Sequence, residues 1–130
     1  MNADKNNFSI KRRLLSFKYA FKGIGYMLKT QHNSLIHVAA AIIVIVLGIL
    51  LKVSLTEWCF LVFAIVLVIS AELFNTAIEF LTDIVSPDYN KKAALAKDIA
   101  AGAVLISAIT SAIIGLIIFL PKIFNSSIIF

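Results

Sequence analysis

Four acid or amide side chains interrupt an apolar stretch of this 130-residue chain: Glu72, Asn75, Glu79 and Asp83. Their steps of +3, +4 and +4 bring all four onto one stripe of an α-helix, while Leu73, Phe74, Ile78, Phe80 and Leu81 fill its other faces. Two kinds of chemistry suit such a stripe. Hard carboxylate oxygens from Glu79, Asp83 or both can hold a divalent cation. Glu72, deeper and poorly solvated, can act as a general base. The structural alternative is a polar contact between helices, with the carboxylates paired to Lys97 or hydrogen-bonded to Asn75.

The elements that must position this stripe are membrane spans. With 61% hydrophobic and 15% charged residues, the composition lies outside the range of ordinary soluble domains. A single cysteine, Cys59, excludes an intrachain disulfide. Three apolar runs, 34–52, 57–82 and 94–120, are each long enough to cover a hydrocarbon core of about 30 Å at about 1.5 Å per residue. The third is expected to stop at Pro121. The first begins too far along the chain for a cleavable signal peptide, so it is expected to be retained.

Positive charge orients the spans. Lys5, Lys11, Arg12, Arg13, Lys18, Lys22 and Lys29 precede the first, and Lys91, Lys92 and Lys97 lie between the second and third. The opposite side carries only Lys52 and Lys122. This predicts a cytoplasmic N-terminus and an external C-terminus. Counted from Trp58, an aromatic suited to the outer interface, Glu72 lies about 21 Å and Glu79 about 31 Å along the helix, in or at the edge of the cytoplasmic half. Acidic groups at that depth must face protein, water or a cation.

Ahead of the spans, residues 8–30 form an amphipathic pattern. Leu14, Phe17, Phe21, Ile24 and Leu28 share one face, and Lys11, Lys18, Lys22 and Lys29 the other. This predicts a helix lying in the headgroup layer, either meeting a lipid substrate or simply anchoring the chain. The basic residues are accounted for by anionic lipid, and no nucleic-acid recognition motif accompanies them. A turn at Ser86-Pro87-Asp88 leads into the third span, where Lys97 and Asp98 stand close to the acidic stripe. Lys97 suits either a polyphosphate or a snorkelling anchor. No P-loop sequence is present.

Glu72-x-x-Asn75-Thr76-Ala77-Ile78-Glu79-x-x-x-Asp83, followed by Ala96-Lys97-Asp98-Ile99-Ala100-Ala101-Gly102-Ala103-Val104-Leu105-Ile106, closely resembles the small prokaryotic diacylglycerol kinase and undecaprenol kinase family. The resemblance extends over roughly residues 11–119. Phe17-Lys18-Tyr19-Ala20-Phe21-Lys22-Gly23 and the Ala-Ala-Gly-Ala-Val-Leu run look more like the undecaprenol kinase branch.

The resemblance implies an all-α integral membrane protein with an N-terminal surface helix and three transmembrane helices, assembled as a homotrimer. It implies transfer of the γ-phosphoryl of Mg-ATP to a membrane lipid alcohol, undecaprenol or diacylglycerol, on the cytoplasmic side of the bacterial inner membrane. Glu72 matches the family's general base, Asn75 a neighbour that orders the site, and Glu79 a magnesium-binding carboxylate, with Asp83 in support. Arg12, Tyr19, Asp88, Tyr89, Asn90, Lys97 and Asp98 fall where the family meets the nucleotide. Ala100, Gly102 and Ala103 allow close helix approach.

One departure falls before the first span. The family's Glu-x-Asn-x-Arg-x-His pattern reads Gln31-His32-Asn33-Ser34-Leu35-Ile36-His37 here, so Gln31 replaces a carboxylate and Leu35 an arginine. A Gln carbonyl still ligates magnesium, more weakly for want of charge. His37 matches the pattern, and a simple hydrogen bond near the interface explains it as well as a direct role. The sequence therefore supports three readings: a lipid kinase, an inactive or regulatory membrane homologue, and a proton or ion carrier relaying through Glu72 and Glu79.

Overall fold

The computed structural model describes residues 9–127 and is all α: α1 (Ile10–Thr30), α2 (His32–Leu50), α3 (Leu55–Val85) and α4 (Lys91–Ser127). Phe8, the expected start of the surface helix, lies outside the described residues, as do Lys5 and residues 128–130. The helices α2, α3 and α4 are long and apolar enough to cross a membrane. Large apolar side chains cover the exterior of the bundle, while Ser34, Glu72, Asn75, Thr76 and Ser107 are buried. This distribution suits a bilayer, where apolar surface needs no burial and polar groups must find partners inside the protein.

The first half of the apolar stripe of α1 is not used within the chain, since Leu14, Phe17 and Phe21 are exposed, while Ile24 and Leu28 are half-buried and Met27 beside them is buried. The helix ends at Gln31, whose extended backbone (φ −106°, ψ 107°) breaks the path between α1 and α2. No glycine or proline makes this corner. It is held by the buried Ser34, whose hydroxyl lies 2.6 Å from the carbonyl of Gln31 and 3.3 Å from that of Met27. Both carbonyls also accept backbone amides, Met27 from Gln31 at 2.9 Å and Gln31 from Ser34 at 3.2 Å, so the Ser34 hydroxyl adds a second contact to each.

At the other end of α2, Lys52 adopts a left-handed conformation (φ 51°) in the turn to α3. Ser54 and Glu57 then form a capping box: Ser54 Oγ accepts from the Glu57 amide at 3.2 Å, and the Ser54 amide donates to Glu57 Oε2 at 2.7 Å. This starts α3 at Leu55, two residues before the expected boundary. The indole of Trp58 lies across Gly48, with its Cη2 2.6 Å from where a Cβ would stand. Around it, Val53, Leu61, Ile118 and Phe119 form the apolar core at this end.

The long helices α3 and α4 make the principal pairing of the fold. Their antiparallel contact is tied at three levels: Lys122 Nζ to Glu57 Oε2 at 3.0 Å, Ser111 Oγ donating to the Ala64 carbonyl at 3.0 Å, and Lys97 paired with Asp83. The helix α4 does not stop at Pro121 but continues to Ser127. Proline removes one backbone donor, and its neighbours offset that loss: Ile118 and Phe119 are buried just before it, and Lys122 docks on Glu57 just after. Among the residues expected to admit close helix approach, Ala100 is buried. Gly102 has no atom within 4 Å of a Cβ position, and Ala103 is exposed, so neither is used within the chain.

Candidate active site

The acidic stripe follows a gradient of burial. Glu72 is 2% exposed, Asn75 is buried, Glu79 is half-buried and Asp83 is exposed. The stripe therefore runs from the sealed interior of α3 to its open end, and the two glutamates sit about 10 Å apart along the helix.

Glu79 is gripped by two amides. Asn75 Nδ2 donates to Glu79 Oε1 at 3.2 Å from one turn earlier on α3, and Gln31 Nε2 donates to Oε2 at 3.3 Å from the α1–α2 corner. Gln31 is free to reach across because its side chain makes no capping bond to α2, the corner being held by Ser34. Asn75 Oδ1 is buried without a hydrogen-bond partner. Among the described residues no three His, Cys, Asp or Glu side chains gather into a metal cage. The group that gathers is one carboxylate between two amides, each presenting its N–H to Glu79. A single carboxylate together with substrate phosphates is a common way of holding magnesium, and either amide would add an oxygen by turning over.

Glu72 is engaged differently. His37 on α2 brings Nε2 to 3.2 Å from Glu72 Oε1, which has no aligned hydrogen bond of its own. The hydroxyl of Thr76 donates to the Glu72 backbone carbonyl at 2.8 Å and leaves the carboxylate alone. Sequence spacing could not reveal the His37 contact, because it joins two helices through the fold. The hydroxyl of Ser34 and the side chain of Thr76 are likewise buried contributors that the sequence did not single out.

The residues expected at a nucleotide are more scattered. Lys97 is paired with Asp83, and Asp98 lies exposed one residue on. Asn90 Oδ1 caps α4, accepting from the amides of Lys92 at 2.9 Å and Ala93 at 3.2 Å. In the same connection the Asp88 carbonyl accepts from Ser86 Oγ, and Tyr89 is exposed. Arg12 is exposed on the first turn of α1. Tyr19 borders a cavity of about 660 Å³ between α1 and α3, whose wall includes Tyr26, Met27, Leu73, Thr76 and Phe80. The rings of Tyr26 and Phe80 meet edge-to-face there. Both contacts of the structural alternative are thus present, Asp83 with Lys97 and Asn75 with Glu79.

A buried carboxylate touched by an imidazole, and a second carboxylate between two amides, set on three membrane-length helices, define a small multi-pass membrane protein with an acid–amide site. Residues 18–119 match the prokaryotic diacylglycerol kinase family. The chain is 40% identical over 122 residues to the undecaprenol kinase of Bacillus subtilis, covering 94% of this chain and 99% of that one. It is 38% identical over 123 residues to a diacylglycerol kinase of Synechocystis, covering 93% of this chain and 70% of that one. The chain belongs to the prokaryotic diacylglycerol kinase family, and is a membrane lipid kinase, an ATP-dependent phosphotransferase.

Proposed function

We propose that this protein transfers the γ-phosphoryl of Mg-ATP to the terminal hydroxyl of undecaprenol at the cytoplasmic face of the bacterial inner membrane. The observation that carries the reaction is the division of labour on α3: a sealed carboxylate, Glu72, stands about 10 Å from a metal-fitting one, Glu79. The near full-length match to an undecaprenol kinase supports the acceptor.

Phosphoryl transfer asks chiefly for positioning, charge neutralisation and a base. Glu72 receives the hydroxyl proton. Asn75 fixes the rotamer of Glu79, and Glu79 with Gln31 holds magnesium, which when bound neutralises phosphate charge. Lys97 and Asp98, with Arg12, Tyr19, Asp88, Tyr89 and Asn90, meet the nucleotide. The cavity between α1 and α3 receives the lipid sideways from the bilayer, in reach of the face that carries Leu73 and Thr76. A trimer, the arrangement the family resemblance implies, completes the site.

The test is transfer of labelled phosphate from Mg-ATP by the purified protein in lipid micelles, with undecaprenol and diacylglycerol offered in parallel. Undecaprenyl phosphate is the expected main product. A preference for phosphatidic acid would move the enzyme to phospholipid turnover, and no product from folded protein would favour the inactive homologue. Glu72→Gln is expected to abolish transfer, by at least about a hundredfold, with the fold unchanged by thermal unfolding.

A further inference from the structure

A base sealed from solvent must be relieved of its proton before it can act again. Glu72 is 2% exposed, and no hydroxyl or amide hydrogen bond reaches its Oε1. His37 is the described residue that does come near, with Nε2 at 3.2 Å, and its side chain is 22% exposed against 3% for that of Glu72. The imidazole therefore touches both the sealed carboxyl and open space. It sits about 8 Å from the start of α2, within reach of interfacial water. It also heads a cavity of about 490 Å³ between α2, α3 and α4. Among the described residues His37 is the sole titratable one on that lining, and the α4 wall contributes Ala108, Ser111, Ala112 and Gly115, none of them ionisable. Glu72, on α3, is the charged group within ion-pair distance of the ring.

Resting on the reading of Glu72 as base, we infer that His37 is a positioning residue that relays the proton out of the site. In each turnover the lipid O–H bond breaks, the lipid oxygen bonds to the γ-phosphorus, the bond from that phosphorus to the leaving ADP oxygen breaks, and the proton passes to the Glu72 carboxylate. The Glu72 carboxyl then gives it to the Nε2 lone pair of His37. The ring releases its Nδ1 proton to water at its exposed edge, and exchange with water moves the remaining proton from Nε2 back to Nδ1, so that Glu72 is again a carboxylate and Nε2 again an acceptor.

The experiment compares wild type with His37→Gln and His37→Ala in lipid micelles, measuring kcat and KM for ATP and lipid across about pH 5 to 8. The expected result is a fall in kcat of about tenfold or more, with both KM values within about twofold and the shape of the pH–kcat curve altered. Imidazole added to His37→Ala should restore part of the rate through the space left by the ring. A kcat unchanged at every pH, or a loss with an unchanged pH profile and no imidazole rescue, would overturn the relay. Glu72→Gln separates the two layers: its continued turnover removes the base and the relay together, whereas an inactive Glu72→Gln beside fully active His37 variants removes the relay alone.

Discussion

At Glu79 two neutral amides flank a single carboxylate, and in the proposed reading this sets how strongly the site attracts a cation. Gln31 donates to Glu79 Oε2 at 3.3 Å, so a carboxylate in its place would face Glu79 across the same gap. Without a cation the two charges would repel, and one would take up a proton or the α1–α2 corner would open. With a cation bound, the added charge strengthens ligation. Gln31→Glu is therefore expected to lower the Mg2+ concentration for half-maximal activity by roughly tenfold. It should also lower the thermal midpoint in metal-free buffer, with added Mg2+ restoring it. Parallel Mg2+ titrations of turnover and unfolding check this, and flat responses in both would detach Gln31 from the metal. Much of this site was legible in the sequence, since Glu72, Asn75, Glu79 and Asp83 declare their shared stripe by spacing alone. The partners that arrive from α2 and the corner were not, because His37 and Gln31 lie 35 and 48 positions from the residues they touch.

Between the helices, small geometric devices set the angles that bring those partners in. Gly48 lets the Trp58 indole lie against α2, and a Cβ there would stand 2.6 Å from the ring. Gly48→Ala should push the indole out and destabilise the fold by about 1–3 kcal/mol, read as a lowered midpoint in denaturant titration of the micellar protein. The Lys97–Asp83 tie is of another kind, since both side chains are substantially exposed. Exposed pairs contribute about 1 kcal/mol or less, which leaves Lys97 available to a polyphosphate. Lys97→Met should accordingly raise KM for ATP by about tenfold, the equivalent of one lost charge-assisted contact, while unfolding shifts by about 1 kcal/mol or less. Equal loss in binding and stability would make the lysine a structural tie. At this scale the spans were readable from apolar length, and the Ser54-Leu55-Thr56-Glu57 signature could have placed the start of α3. The corner at Gln31 carries no glycine or proline to announce it. Pro121, which does carry a stop signal, is overridden by packing on both sides.

Across the whole molecule, the apolar core and the reactive groups occupy opposite ends of the bundle. Trp58, Val53, Leu61, Ile118 and Phe119 close one end, while Gln31, Glu79 and the 86–90 connection mark the other. Polar contacts and the amphipathic α1 hold the end at which the proposed nucleotide and lipid enter. Three crossings put the α1–α2 corner and the 86–90 connection on one side, and the α2–α3 turn on the other. Most lysines and arginines lie on the first side, which the positive-inside rule assigns to the cytoplasm, where ATP is available. This orientation predicts the labelling of single cysteines placed in a Cys59→Ser background. Lys52→Cys, in the α2–α3 turn, should react with a membrane-impermeant maleimide on intact cells. Pro87→Cys, in the opposite connection, should react only after the membrane is opened. The reverse pattern would place Glu79 and Lys97 away from the nucleotide pool, and kinase activity in cells would then be impossible from this face.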